Sequence, residues 1–146
     1  MRLLVASDHA AIELRQAVVD HLRGLGHAVE VSGPASGERA DYPDQAALVA
    51  HAVAAGQADA GVLLCGTGIG MSIAANKVPG IRAALVHDVS TARLAAEHNR
   101  ANILCLGARV LGPVVALDCV DAWLQTAFEA RHQHRLDLIT ALERSA

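Results

Sequence analysis

Aromatic side chains are almost missing from this chain: one Phe, one Tyr and one Trp stand among 146 residues. A nucleic-acid surface that works by base stacking is thereby excluded, since it needs several rings set among basic residues. An excess of basic charge is missing too. The 12 Lys and Arg face 15 Asp and Glu for a net charge of −3, so no cationic face dominates. Cysteine is sparse, and Cys65, Cys105 and Cys119 are odd in number and far apart, with no Cys-x-x-Cys pair. That excludes a disulfide framework and a zinc site of the usual spacing, and reduced thiols are expected. Long hydrophobic runs are absent as well: the uncharged stretch 60–76 is shorter than a membrane span and is broken by Gly, Thr, Ser and Asn. The N-terminus opens on a strand-like Arg2-Leu3-Leu4-Val5-Ala6 and lacks the succession of a signal peptide. A cytoplasmic protein of one domain, residues 1–146, is expected, with a small soluble ligand and neither a membrane nor a nucleic-acid partner.

What the chain does have is aliphatic bulk, 53% of it being hydrophobic. Ala, Val, Leu and Ile must therefore build the core. Strand-like runs at 3–7, 28–31, 61–64, 83–86 and 102–106 alternate with helical patterns. The first helix carries Leu14, Val18, Leu22 and Leu25 on one stripe and stops at Gly26; others are expected over 44–55, capped by Asp41, and over 69–76, 90–98, 113–128 and 132–145. Five strands separated by helices imply a parallel sheet with right-handed crossovers. The expected fold is α/β, a doubly wound Rossmann-like three-layer sandwich with a five-stranded parallel sheet and an extra C-terminal helix. In such sheets ligands sit at the carboxyl ends of strands, where 7–9, 65–70 and 107–109 fall.

Cys65-Gly66-Thr67-Gly68-Ile69-Gly70-Met71-Ser72 places a thiol at a strand's end beside three glycines. The glycines let the backbone turn sharply and gather N–H groups into a cradle for an anion or a developing oxyanion. Nucleotide motifs fail on spacing: a dinucleotide fingerprint finds Met71 in its sixth place, and the lysine of a phosphate loop is missing, Lys77 lying seven residues beyond Gly70. Taken alone, the turn reads equally as a tight connection around a small buried cysteine. Asp8 is either a helix N-cap or a polar contact to substrate, and His9 is a loop histidine on the same rim. His98 and Asn99 close a helix, where they suit a helix dipole and a left-handed cap. Arg131 and Arg135, four residues apart, suit a phosphate or a solvated helix end. His132 and His134 point to different sides of a helix, so no metal site is assigned.

Together Ser7-Asp8-His9-Ala10, Arg39-Ala40-Asp41-Tyr42-Pro43, the block from Cys65 to Lys77, Ala96-Glu97-His98-Asn99 and Gly107-Ala108-Arg109-Val110 resemble the ribose-5-phosphate isomerase B family, which also includes the galactose-6-phosphate isomerase subunits. The resemblance implies a metal-free, cofactor-free aldose–ketose isomerase that converts ribose 5-phosphate to ribulose 5-phosphate through a cis-enediolate. In that scheme Cys65 is the base, and Gly66, Gly68 and Gly70 offer N–H groups to the enediolate. Thr67 assists hydroxyl proton transfer, and His98 opens the furanose ring. Asp8, Tyr42 and Asn99 line the sugar, His9, Arg131 and Arg135 hold the phosphate, and Arg109 lies near it. A homodimer or homotetramer with sites between subunits is implied, and the stripe Leu136, Leu138, Ile139 and Leu142 offers a physical reason for association. The family commonly has Gly-Cys-Asp-His-Ala-Gly where this chain has Ala6-Ser7-Asp8-His9-Ala10-Ala11, and lysine where it has Arg15. Two alternatives remain beside the five-carbon isomerase: an isomerase of allose 6-phosphate or galactose 6-phosphate, and a non-catalytic sugar-phosphate sensor.

Overall fold

Short aliphatic runs become strands and the amphipathic stretches between them become helices, in a computed structural model that describes residues 1–143. The strands are β1 (Arg2–Ser7), β2 (Ala28–Ser32), β3 (Ala60–Cys65), β4 (Ala83–Leu85) and β5 (Ile103–Gly107). The helices are α1 (Ile12–Gly24), α2 (Tyr42–Ala54), α3 (Ile69–Ala75), α4 (Val89–Asn99), α5 (Pro113–Gln125) and α6 (Gln133–Glu143), the last preceded by a 3-10 turn, Ala130–His132. All strand pairs are parallel and the order is β2-β1-β3-β5-β4. This is the expected doubly wound α/β sandwich.

Alternation along the central strands divides the core into two layers. Leu3 and Val5 of β1, Val62 and Leu64 of β3, and Leu104 and Leu106 of β5 face α1, α4 and α5. Leu4 and Ala6, Leu63 and Cys65, and Ile103 and Cys105 face α2 and α3 on the other side. Both faces of β1, β3 and β5 are covered, which is why these strands read as unbroken apolar runs. The contact face of α4 is Ala92, Ala95 and Ala96, small side chains that let the helix pack closely on α5. With so few rings available, Trp123 takes the bulkiest place on α5, and its indole N–H donates to the Ala101 carbonyl at 2.9 Å.

The connections β1–β2 and β3–β4 leave in opposite directions across the sheet, so the switch point lies between the carboxyl ends of β1 and β3. A crevice opens there by construction. Several element ends differ from the sequence expectation for local reasons. Helix α2 starts two residues early because Pro43 fits a first turn. Leu25, counted on the stripe of α1, is an exposed cap. Helix α5 stops at Gln125 rather than 128, since Thr126 is extended and the chain crosses so that the Glu129 N–H reaches the Glu97 carbonyl at 2.9 Å. The C-terminal helix begins with the 3-10 turn, and residues 144 and 145 of its expected span lie outside the described residues. Of its stripe, Leu136 is buried while Leu138, Ile139 and Leu142 are exposed. Among the described residues no helix is long and apolar enough to cross a membrane.

Candidate active site

Cys65 ends β3 on the layer of α2 and α3, buried to 5% exposure, with its Sγ accepting the Gly68 N–H at 3.1 Å. That contact exists because Gly68 adopts φ +77°, and because a Cβ there would stand 2.6 Å from Leu85 Cδ1 and 3.0 Å from the Leu106 carbonyl carbon. Only glycine meets both demands. The neighbouring end of β5 fits as tightly: a Cβ on Gly107 would lie 2.6 Å from the Thr67 carbonyl carbon. The Ala108 and Arg109 N–H groups donate to the Cys65 and Gly66 carbonyls, both at 2.9 Å. Arg109 then lays its guanidinium across Gly66, and the Tyr42 ring covers Gly70 closely enough that an added Cβ would clash at 2.6 Å. Thr67 is exposed at the crest, its Oγ1 accepting the Ile69 N–H at 3.3 Å.

Across the crevice, the Asp8 N–H donates to the Leu64 carbonyl at 3.2 Å. Asp8 Oδ1 accepts the Ala10 N–H at 2.8 Å. The N-cap of α1 is Ala11, without a side-chain cap, so the N-cap reading of Asp8 falls and a buried carboxylate on the crevice wall remains. His9 Nδ1 lies 3.2 Å from the Ala40 carbonyl. A carbonyl only accepts, so Nδ1 carries the proton. A cavity of about 540 Å³ opens beside His9 and the first turn of α1, with Ala11, Ser36, Gly37 and Ala108 on its wall. Cys65 lies outside that cavity.

The remaining expected site residues stand at the other edge of the sheet. Helix α4 runs against the strands, so His98 and Asn99 emerge beside their amino ends. There Arg82 donates through Nε to the Asn99 carbonyl at 3.0 Å and through Nη2 to the Arg100 carbonyl at 2.9 Å. The left-handed cap suggested for Asn99 is taken by Arg100 instead, at φ 45°, and its guanidinium sits 5.7 Å over the Phe128 ring. Arg131 and Arg135 do not share one α-helical face, since Arg131 belongs to the 3-10 turn and Arg135 to α6. They flank His132: Arg131 pairs with Glu129, and Arg135 Nη1 donates to His132 Nδ1 at 2.9 Å.

The expected site residues fall into two groups. Asp8, His9, Tyr42, Cys65, Gly66, Thr67, Gly68, Gly70 and Arg109 gather at the carboxyl edge; His98, Asn99, Arg131 and Arg135 gather at the amino edge. The length of β5 lies between them, roughly 15 Å at 3.3 Å per residue. Sequence reasoning passed over His132, weighing only its spacing from His134. Its ring centroid is 4.3 Å from that of His98, with 35° between the planes.

His98, Glu129 and His132 bring ligand-type atoms within 4.8 Å of one another. The donor set nevertheless suits a metal poorly. Because Arg135 donates to Nδ1, neutral His132 keeps its proton on Nε2, the nitrogen facing Glu129, and a protonated nitrogen is no ligand. Burial first, then Arg131, His98 and Arg135, push the His132 pKa down, with Glu129 opposing only in part. Burial pushes the thiols of Cys105 and Cys119 up. Both lie in the core away from the crevice, which leaves Cys65 as the cysteine at a ligand-binding edge.

A sequence model of the family described as Ribose/Galactose Isomerase matches residues 3–139. The chain belongs to the ribose/galactose isomerase family. Ribose-5-phosphate isomerase B of Escherichia coli (strain K12) is 46% identical over 97% of this chain and 96% of its own length. D-erythrulose-4-phosphate isomerase of Pectobacterium atrosepticum is 45% identical over 88% of this chain and 86% of its own. Among solved structures, Clostridium thermocellum ribose-5-phosphate isomerase B superposes with a TM-score of 0.97 at 46% identity, covering 99% of both chains. Members of the ribose/galactose isomerase family are sugar-phosphate isomerases, and this chain is an enzyme of that class.

Proposed function

We propose that this isomerase interconverts ribose 5-phosphate and ribulose 5-phosphate through an enediolate, with Cys65 as the base. The observation that carries the proposal is the Gly68 N–H directed at the Cys65 Sγ, at the carboxyl end of β3 where the winding of the connections reverses. That N–H fixes the sulfur at the end of β3, beside the backbone donors of the turn, where a base would need to stand. The thiolate takes the proton from C2 of the open-chain aldose and returns it to C1, while the hydroxyl proton passes from O2 to O1 with help from Thr67. The charge that develops on the enediolate oxygens is met by N–H groups of the Gly66–Gly70 turn, fixed before the substrate arrives. Asp8 and Tyr42 line the sugar, and His9 and Arg109 take the phosphate end. The ring must open first, which requires a proton at the ring oxygen, and His98 suits that step. Asn99 stands beside it, and Arg131 and Arg135 bring positive charge for the phosphate.

His98 and its neighbours cannot reach Cys65 in one chain, so a second copy supplies them. We therefore read the working unit as a homodimer, or a tetramer built from it, with each site made of one carboxyl edge and the partner's amino edge. The exposed Ile69, Ile73 and Tyr42 near the carboxyl half, and Ile139 and Leu142 near the amino half, give this assembly apolar surface to bury. No step of the scheme calls for a metal or cofactor. A thiol that must stay reduced suits the cytoplasm.

Purified protein should be assayed for isomerisation of ribose 5-phosphate, allose 6-phosphate and galactose 6-phosphate. Conversion of the pentose phosphate is expected, and Cys65→Ala should lose roughly 10²-fold or more of the rate, the usual loss for a positioned base. Preference for a six-carbon sugar would move the assignment to that substrate. Binding without turnover would identify a sensor.

A further inference from the structure

His132 is a buried imidazole, 3% exposed, whose two nitrogens have different surroundings. Nδ1 accepts from Arg135, whereas Nε2 has no hydrogen-bond partner among the described residues, the nearest carboxylate oxygen of Glu129 lying 3.8 Å away. An aliphatic or phenyl side chain would fill this space without leaving a buried donor unmatched. The histidine is therefore not explained by packing alone.

Its backbone is tied to that of His98. The His132 N–H donates to the Glu129 carbonyl at 3.0 Å, and the Glu129 N–H to the carbonyl of Glu97, the residue before His98, at 2.9 Å. The two rings thus hang from one short bonded frame and touch at a tilt of 35°. Arg135 prevents the outer ring from turning, and the outer ring limits the positions open to His98.

We propose that His132 is a positioning residue that links the phosphate-binding Arg135 to the ring-opening acid His98 through a single buried imidazole. The link rests on the isomerase reading above. Its two contacts have separate duties. The Nδ1 contact holds one guanidinium nitrogen of Arg135 and so directs its other donors toward the phosphate. The ring face holds the plane of His98 before the sugar binds, which is preorganisation of the acid.

Two substitutions separate these duties. His132→Phe keeps a ring against His98 but offers Arg135 no acceptor. His132→Asn keeps an acceptor oxygen near the place of Nδ1 but removes the ring face. For ribose 5-phosphate, His132→Phe should raise KM about tenfold with kcat nearly unchanged, as for loss of a hydrogen bond that orients a charged group. His132→Asn should lower kcat about tenfold with KM nearly unchanged. A merely structural role would move both variants alike. The coupling is overturned if an active wild type yields folded variants that share one kinetic change or show none. A further measurement depends on neither variant folding: ¹⁵N-histidine spectra of the wild-type protein should show His132 protonated at Nε2 and bare at Nδ1, and the opposite tautomer would also overturn it. Absence of turnover in the wild type is a different result and sinks the isomerase reading itself.

Discussion

At Gly68 one residue decides whether the site exists. Its positive φ turns an N–H back onto Cys65, and the same turn brings its Cα against Leu106 and Leu85, where no side chain fits. His132 carries a consequence for stability that follows from its depressed pKa. In the unfolded chain this imidazole titrates at the ordinary value of about 6.5; folded, it resists protonation because of burial and the arginines beside it. Between the two values the unfolded state holds more protons, so stability falls as pH is lowered through about 6.5 and is fully present above it. Thermal melts at pH 7.5 and 5.5 should show this drop for the wild type and a smaller one for His132→Phe. An equal drop in both would assign the effect to other groups. The turn and Cys65 were legible in the sequence because glycine spacing and a strand's end are local facts. The role of His132 was not, since it depends on which ring nitrogen meets Arg135 and on stacking against a residue of a different helix.

Among the elements, α4 shows how a helix made mostly of alanine contacts is held at both ends. Asp88 caps its start, accepting the Thr91 N–H at 2.8 Å, and that bond draws the carboxyl pKa below its usual range. Arg82 closes its end by binding the carbonyls of Asn99 and Arg100. Asp88→Ala should lower the urea midpoint at pH 7, as loss of an N-cap does. The difference should shrink as pH falls below the ordinary aspartate value of about 3.9, because the cap is stronger as a carboxylate and is lost on protonation. An undiminished difference at pH 3 would count against the charge-assisted bond. Apolar runs and helical stripes were legible, as the buried Leu14, Val18 and Leu22 of α1 make plain, whereas the division of Leu3 and Val5 from Leu4 and Ala6 between two layers was not, because the run is apolar throughout. Helix ends were less so. The stop of α5 at Gln125 answers to the contact between Glu129 and Glu97, which lies in another part of the chain.

For the whole molecule, the decisive fact is that strand direction sends the two groups of expected site residues to opposite edges. The residues themselves were legible in the sequence, through the resemblance they carry together. Their division was not, because a motif records order along the chain and not which end of the sheet each segment reaches. The division can be tested by mixing. Cys65→Ala and His98→Gln should each be inactive alone, yet co-refolded in equal amounts they should recover about a quarter of wild-type activity, since half the dimers are mixed and each mixed dimer has one intact site. No recovery, in a mixture shown to contain mixed dimers, would mean that each site is built within one chain.

If two copies share each site, as proposed, the wide separation of Cys65 from His98 also makes the concentration of the chain a kinetic variable. Below the dissociation constant of the pair, the reaction rate should rise with the square of protein concentration, and substrate, by touching both copies, should hold them together. On that proposal turnover and assembly would share one equilibrium, and dilution alone would silence the enzyme without a change in any of the proposed catalytic groups.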